Sequence, residues 1–219
     1  MSLILKEHFD EDCTFGIWEI QENLEEMLSM VHLYPGERER FDSFKSDERK
    51  IEFLSVRALL KSLIDNPVGP IVYSDKRKPY LHQSDYRISI SHSRRLTAMM
   101  LSKSKKIGLD LEFMSHKIGD IENRFINEDE VITREPGKRK YHLYIHWCAK
   151  EALYKICDKQ DINFKKNLTI EPFDPEDFGI IYGWVDNIFW HDKFRLNYFT
   201  INNYVVVYCC KNSGHESRK

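Results

Sequence analysis

The sequence has no surplus of one charge. Its 33 Lys and Arg face 35 Asp and Glu, a formal net charge of −2 over 219 residues. A large one-signed field is therefore absent, which argues against broad, sequence-blind nucleic-acid binding and leaves room only for a local basic pocket. No stretch approaches the ~18–20 apolar residues of a membrane helix, so no membrane partner is expected. At the N-terminus the apolar run is only Leu3-Ile4-Leu5 before Lys6 and Glu7, too short for a signal peptide. There is no C-x-x-C pair. The five cysteines, Cys13, Cys148, Cys157, Cys209 and Cys210, are odd in number, and the adjacent Cys209 and Cys210 would point to opposite faces of a strand. Such a set suits neither a zinc site nor a secreted disulfide framework; it reads as reduced thiols in a cytoplasmic protein.

What is present is enough apolar material for a core. The hydrophobic fraction is 42% and the aromatic fraction 13%, values of a packed globular chain rather than a disordered one. The length suffices for one large domain or two small ones without covalent staples.

Hydrophobic periodicity predicts a helix over 18–33, with Ile20, Leu24, Met27, Leu28 and Val31 on one face, ended by Tyr34-Pro35-Gly36. A second helix is predicted over 47–64. Phe53, Val56, Leu60 and Leu63 form its apolar face, Lys50, Arg57 and Lys61 a flanking basic stripe, and Asp65-Asn66-Pro67 its stop. Strands are predicted at 70–73, 87–91, 96–101 and 107–113. The polar segment 114–140 is read as a short helix over 118–125 and a loop around Pro136-Gly137. A long helix over 141–157 and strands at 167–170, 180–185, 194–200 and 204–210 follow, and the tail from 211 is expected to fray. Long helices with hairpin-spaced strands give an α+β class. Helix-then-strands occurs twice without a residue-level repeat. The boundary is placed near residue 105, within Ser102-Lys103-Ser104-Lys105-Lys106, giving halves 1–105 and 106–219 with a cleft between them as the natural ligand site.

Four constellations carry chemistry. In Ile107-Gly108-Leu109-Asp110-Leu111-Glu112 a strand would send the aliphatic residues to one face and Gly108, Asp110 and Glu112 to the other. Two carboxylates about 7 Å apart on one face either form a solvated edge or favour a hard cation. In Trp147-Cys148-Ala149-Lys150-Glu151-Ala152-Leu153-Tyr154-Lys155, helical spacing puts Trp147, Glu151 and Lys155 on one face. This is either a surface ion pair or a partly desolvated acid and amine suited to proton transfer. Ile88-Ser89-Ile90-Ser91-His92-Ser93 ends in hydroxyls and an imidazole that can take a phosphate. Ser91 and His92 would point to opposite faces, which disfavours a Ser–His nucleophile pair. Lys76-Arg77-Lys78-Pro79 makes a rigid basic turn.

In their order and spacing, Lys78-Pro79-Tyr80-Leu81, Ser91-His92-Ser93, the Gly108-to-Glu112 strand and the Trp147-to-Lys155 helix resemble the 4'-phosphopantetheinyl transferase superfamily. The length and upstream half are similar to its longer, single-chain class, which activates peptide and polyketide synthetases. The resemblance spans roughly residues 35–157. It implies two similar α/β halves forming a pseudo-dimer with the active-site cleft between them, a monomer in solution. It also implies transfer of the 4'-phosphopantetheine arm of coenzyme A to a serine of an acyl or peptidyl carrier protein, with release of adenosine 3',5'-bisphosphate. By this resemblance Asp110, Glu112 and Glu151 hold Mg²⁺ (or Mn²⁺). Glu151 is also the base for the carrier serine, and Lys155 serves the pyrophosphate and leaving group. Ser91 and His92 approach the coenzyme A phosphates, Lys78 and Pro79 lie along the adenine, and Arg40 and Arg49 stand near the 3'-phosphate. Lys138, Arg139 and Lys140 either meet an acidic carrier protein or lie in a solvated loop. Two positions depart from the family pattern: Arg77 stands where glycine is frequent, and Glu37 where some members carry lysine. The alternatives are a catalytically silent coenzyme A or carrier-protein binding module, a Mg²⁺-dependent phosphodiesterase, and a structural protein.

Overall fold

The computed structural model describes residues 2–9, 12–65, 69–115, 117–157, 161–189 and 191–212. They fall into two compact units, Met1–Ser104 and Lys105–Lys219. Each combines helices with antiparallel sheet, an α+β architecture. Among the described residues no helix is long and apolar enough to cross a membrane. All five cysteines are free.

The first unit holds strands β1 (Leu3–Phe9) and β2 (Cys13–Glu19), then helices α1 (Leu24–Met30), α2 (Pro35–Asp42) and α3 (Asp47–Leu63). After these come β3 (Ile71–Tyr73), β4 (Pro79–Leu81), β5 (Arg87–Ser93) and β6 (Leu96–Ser102). The sheet order is β1-β2-β6-β5, with β3 and β4 a separate hairpin. Helix α3 forms because Ser46 caps Arg49 N (3.3 Å), Asp47 and Glu48 sit at its positive end, and Leu54, Ala58, Leu59 and Leu63 line a buried stripe. The segment expected to be one helix from residue 18 is strand up to Glu19; the helix begins only after the Asn23–Glu26 capping box. The physical reason is that β2 lies between β1 and β6. Phe15, Ile17 and Trp18 are all buried, so the period of two that marks a half-exposed strand is missing.

Pro35 opens α2 rather than ending the helix before it, and Pro136 likewise opens the long helix of the second unit rather than lying in a loop. Proline costs nothing at a first helical position, whose N–H has no intrahelical acceptor. The proposed stop at Asn66-Pro67 lies outside the described residues; α3 ends at Leu63, with Ile64 extended.

The second unit runs β7 (Lys105–Phe113), a 3₁₀ turn (Ile118–Ile121), α4 (Glu122–Phe125), α5 (Pro136–Ile156) and α6 (Phe164–Asn167). It ends with β8 (Leu168–Ile170), β9 (Phe178–Asp186), β10 (His191–Ile201) and β11 (Tyr204–Asn212), in sheet order β7-β11-β10-β9-β8. Lys211 and Asn212 still pair with β7, and the rest of the expected frayed tail lies outside the described residues. Leu143, Ile145, Ala149, Ala152 and Leu153 of α5 form the core with Val205, Val207, Cys209 and Leu196 of the sheet.

Candidate active site

Strand β7 is paired with β11 so that Gly108, Asp110 and Glu112 stand opposite Cys209, Val207 and Val205. Val205, Val207 and Cys209 belong to the core under α5, so the acidic face of β7 is the face that carries this helix. Gly108 makes the contact possible. A Cβ there would lie 2.1 Å from the carbonyl oxygen of Ala152. The room that a glycine leaves beside the carboxylates is taken by the backbone of α5.

On α5, Cys148, Glu151, Ala152 and Lys155 recur over successive turns on one side of the helix. The Lys155 end of that row reaches Asp110. Lys155 Nζ donates to Asp110 Oδ1 (2.8 Å) and to the Leu109 carbonyl (2.8 Å), and the Cys148 thiol donates to the Val205 carbonyl (3.9 Å). Asp110 is 4% exposed. Burial, reinforced by the Asp110 and Glu112 carboxylates, pushes the Cys148 thiol well above its ordinary range, so it stays protonated and donating. Glu151 lies one helical turn before Lys155 on the same side of α5. Among the described residues no three His, Cys, Asp or Glu side chains are gathered closely enough to hold a metal ion. Asp110, Glu112 and Glu151 thus share a strand–helix junction, with Asp110 held by Lys155.

The neighbouring helical positions are anchors. Trp147 meets Phe125 edge-on (5.2 Å) and Phe164 (5.6 Å). Lys150 turns away from Glu151, as its spacing predicts, and is fully buried. Its ammonium bonds Glu130 Oε2 (2.7 Å), the Phe164 carbonyl (3.2 Å) and the Phe125 carbonyl. Glu130 also accepts from Asn127 N and Ile170 N. This buried pair ties 125–130 and β8 to the helix, and Glu130 carried no sequence signal. Of the basic trio expected near a carrier protein, Arg139 pairs with Glu122 of α4 (2.6 Å) and Lys138 with Glu135 at the start of α5 (3.7 Å).

In the first unit the structure joins Arg49 and His92. Arg49 Nη1 lies 3.2 Å from His92 Nε2 and 2.6 Å from Glu52 Oε2, and Glu52 stands 4.0 Å from His92 Nδ1. Glu52, one helical turn from Arg49, was missed. Ser91 is buried and His92 exposed, the opposed orientation expected of neighbours on a strand. Arg40 stacks on the Tyr73 ring (4.0 Å), and Tyr73 pairs with Pro79 in the β3–β4 hairpin. Arg77 has φ 58°, a left-handed conformation that favours glycine. A turn of this shape is reason enough for glycine at that position, independent of any approach to adenine. Lys78 closes the turn through Ser74.

Two further residues resolve as structural. Arg57 is 6% exposed and bonds Glu37 Oε1 (3.1 Å) and the Phe53 carbonyl (2.9 Å). Glu37 in turn accepts from Tyr34 N and Ile71 N. The acid at the family's lysine position is thus the partner of a buried arginine.

Residues 106–209 match the family model of the 4'-phosphopantetheinyl transferase superfamily. The chain is also similar to the 4'-phosphopantetheinyl transferase HetI of Nostoc sp., at 25% identity over 138 residues, 56% of this chain. The match covers 58% of that protein's length. The family match contains both the acidic strand and the α5 row that closes on it, so the second unit is similar to the 4'-phosphopantetheinyl transferase superfamily across this junction.

Proposed function

We propose that this protein transfers the 4'-phosphopantetheine arm of coenzyme A to a serine hydroxyl of an acyl or peptidyl carrier protein. In that reaction the serine Oγ forms a bond to the phosphorus bearing the pantetheine. The bond from that phosphorus to the bridging pyrophosphate oxygen breaks, and adenosine 3',5'-bisphosphate leaves. The serine proton is lost, so a base is required, and the leaving oxygen gains negative charge, so a cation is required. The single observation that best supports the reading is the closure of α5 on β7, where Lys155 reaches Asp110 with Glu151 one turn before it on the helix.

Glu151 takes the serine proton, and Lys155 meets the charge developing on the leaving phosphate. The donor set fits a hard divalent cation: Asp110 and Glu112 offer oxygen ligands, and Asp110 already takes the Lys155 ammonium as a counter-cation. Asp110, Glu112 and Glu151 would hold Mg²⁺, or Mn²⁺ in its place. The ion supplies charge neutralisation at the pyrophosphate. Arg40 and Arg49 suit the 3'-phosphate of coenzyme A, and Ser91 and His92, the latter already in contact with Arg49, suit its phosphates. Lys78 and Pro79 suit its adenine. The protein acts as a cytoplasmic monomer of two related halves, 1–105 with the nucleotide contacts and 106–219 with the metal-binding and catalytic residues. Its docking surface for an acidic carrier lies around Lys138, Arg139 and Lys140.

Glu151→Gln and Asp110→Ala should each lower transfer to an apo carrier by at least ~10²-fold, the scale of losing a general base or a metal ligand. Near-native rates in both variants would overturn the residue assignment. Hydrolysis of coenzyme A in the absence of any carrier would point instead to a phosphodiesterase.

A further inference from the structure

The Lys155–Asp110 pair raises a question that the proposed chemistry does not answer. The ammonium that would serve the pyrophosphate is bound 2.8 Å from a carboxylate that would hold the metal. Asp110 is nearly enclosed, its side chain 5% exposed, and a buried carboxylate left without a cation is costly. Lys155, at 19% side-chain exposure, is the more accessible partner. Its ammonium is a compact, readily rehydrated charge on a flexible stem. Two cations competing for one buried carboxylate oxygen repel each other strongly at such separations.

We propose that Lys155 is an internal counter-cation: it holds Asp110 in the metal-free protein and gives the carboxylate up when a divalent cation binds, which frees its ammonium for the anionic substrate. The inference rests on the reading of Asp110 as a metal ligand. It accounts for two observations together. Asp110 has a well-formed ion pair, with Lys155 also anchored on the Leu109 carbonyl. And among the described residues no three-ligand group is assembled, although Asp110, Glu112 and Glu151 lie on elements in direct contact. Lys155 thereby couples metal loading to the readiness of the site for a pyrophosphate, and the coupling is reciprocal: whatever draws Lys155 away tightens metal binding.

The experiment is NMR of lysine side-chain ammonium groups in the full-length wild-type protein, titrated with Mg²⁺, alongside backbone spectra titrated with Mn²⁺. The expected result is a slowly exchanging ammonium resonance in the metal-free protein that is absent from Lys155→Met and Asp110→Asn. It disappears as Mg²⁺ saturates, while Mn²⁺ broadens the backbone signals of residues 110, 112 and 151. Lys155→Met should also bind Mn²⁺ about tenfold more tightly, a coupling of ordinary allosteric size. If the resonance persists while Mn²⁺ broadens those three positions, the ion binds beside Lys155 and the inference is overturned, with the metal reading intact. If Mn²⁺ broadens none of them, the metal reading fails and takes the inference with it.

Discussion

One methyl group at position 108 is enough to lift α5 from its strand. The Cβ of Gly108→Ala would sit 2.1 Å from the Ala152 carbonyl and 3.1 Å from the Ile156 Cβ. The Ala152 backbone and the Cβ of Ile156, fixed to its own helix, leave little to give way. Overpacking of this kind typically costs about 1–3 kcal/mol, so thermal melting of Gly108→Ala should fall by several degrees. The contact of Lys155 with Asp110 should loosen with it. A melting temperature equal to wild type would show that α5 can shift freely and that Gly108 does not set the junction. At this scale the sequence was partly legible. The alternation of Gly108, Asp110 and Glu112 against Ile107, Leu109 and Leu111 follows from the period of a strand. The row of Glu151 and Lys155 follows from that of a helix. Cys148 could have been found by the same spacing, three residues before Glu151. Glu130 and Glu37 could not, because a buried acid is defined by an arginine or lysine distant in sequence, here Arg57 and Lys150.

At the scale of the element, α5 does two jobs on two sides. One side carries Glu151 and Lys155. Another buries His142 and His146 beside Phe173, with ring centroids 4.5 Å and 5.3 Å away. Thr133 N donates to His142 Nδ1 (3.1 Å), and His146 Nδ1 lies 3.0 Å from the His142 carbonyl, which only a protonated Nδ1 can use. His142, which accepts at Nδ1, is thus neutral in the fold. Burial lowers His142 to about 4, and burial with the neighbouring His142 lowers His146 to about 3. Folded values below the unfolded value of 6.5 mean that the unfolded chain takes up protons first as pH drops. The contribution of these groups is complete above about pH 6.5 and is lost as pH falls toward 4 and then 3, at up to about 1.4 kcal/mol per pH unit for each. The urea midpoint should therefore fall between pH 7 and pH 5, and His146→Phe should flatten that fall. An unchanged slope in the variant would remove His146 from the account. Elements were legible where one face is wet, as in β10, or where polar and apolar residues alternate at the period of the element even though both sides are covered, as in α3 and β7. They were not legible where burial is two-sided, as in β2, or where proline opens a helix instead of closing one, as at Pro35 and Pro136.

At the scale of the molecule, two units each close a core of their own, one around Leu54, Leu59 and Met99, the other around Ile145, Leu153 and Val207. The family match lies in the second unit, which also contains Asp110, Glu112, Glu151 and Lys155. The basic groups suited to the nucleotide lie in the first. The near-balanced charge fits a protein that concentrates cations locally, at Arg49 with His92 and at Arg40 with Tyr73, rather than over a whole surface. The claim that unites both units is group transfer from coenzyme A to a protein serine. Its most direct test is the intact mass of an apo carrier protein after incubation with this protein, coenzyme A and Mg²⁺. The account predicts a mass gain equal to the phosphopantetheine arm, confined to one serine and abolished by EDTA. A carrier that keeps its apo mass here, yet is converted by an established transferase under the same conditions, would contradict it.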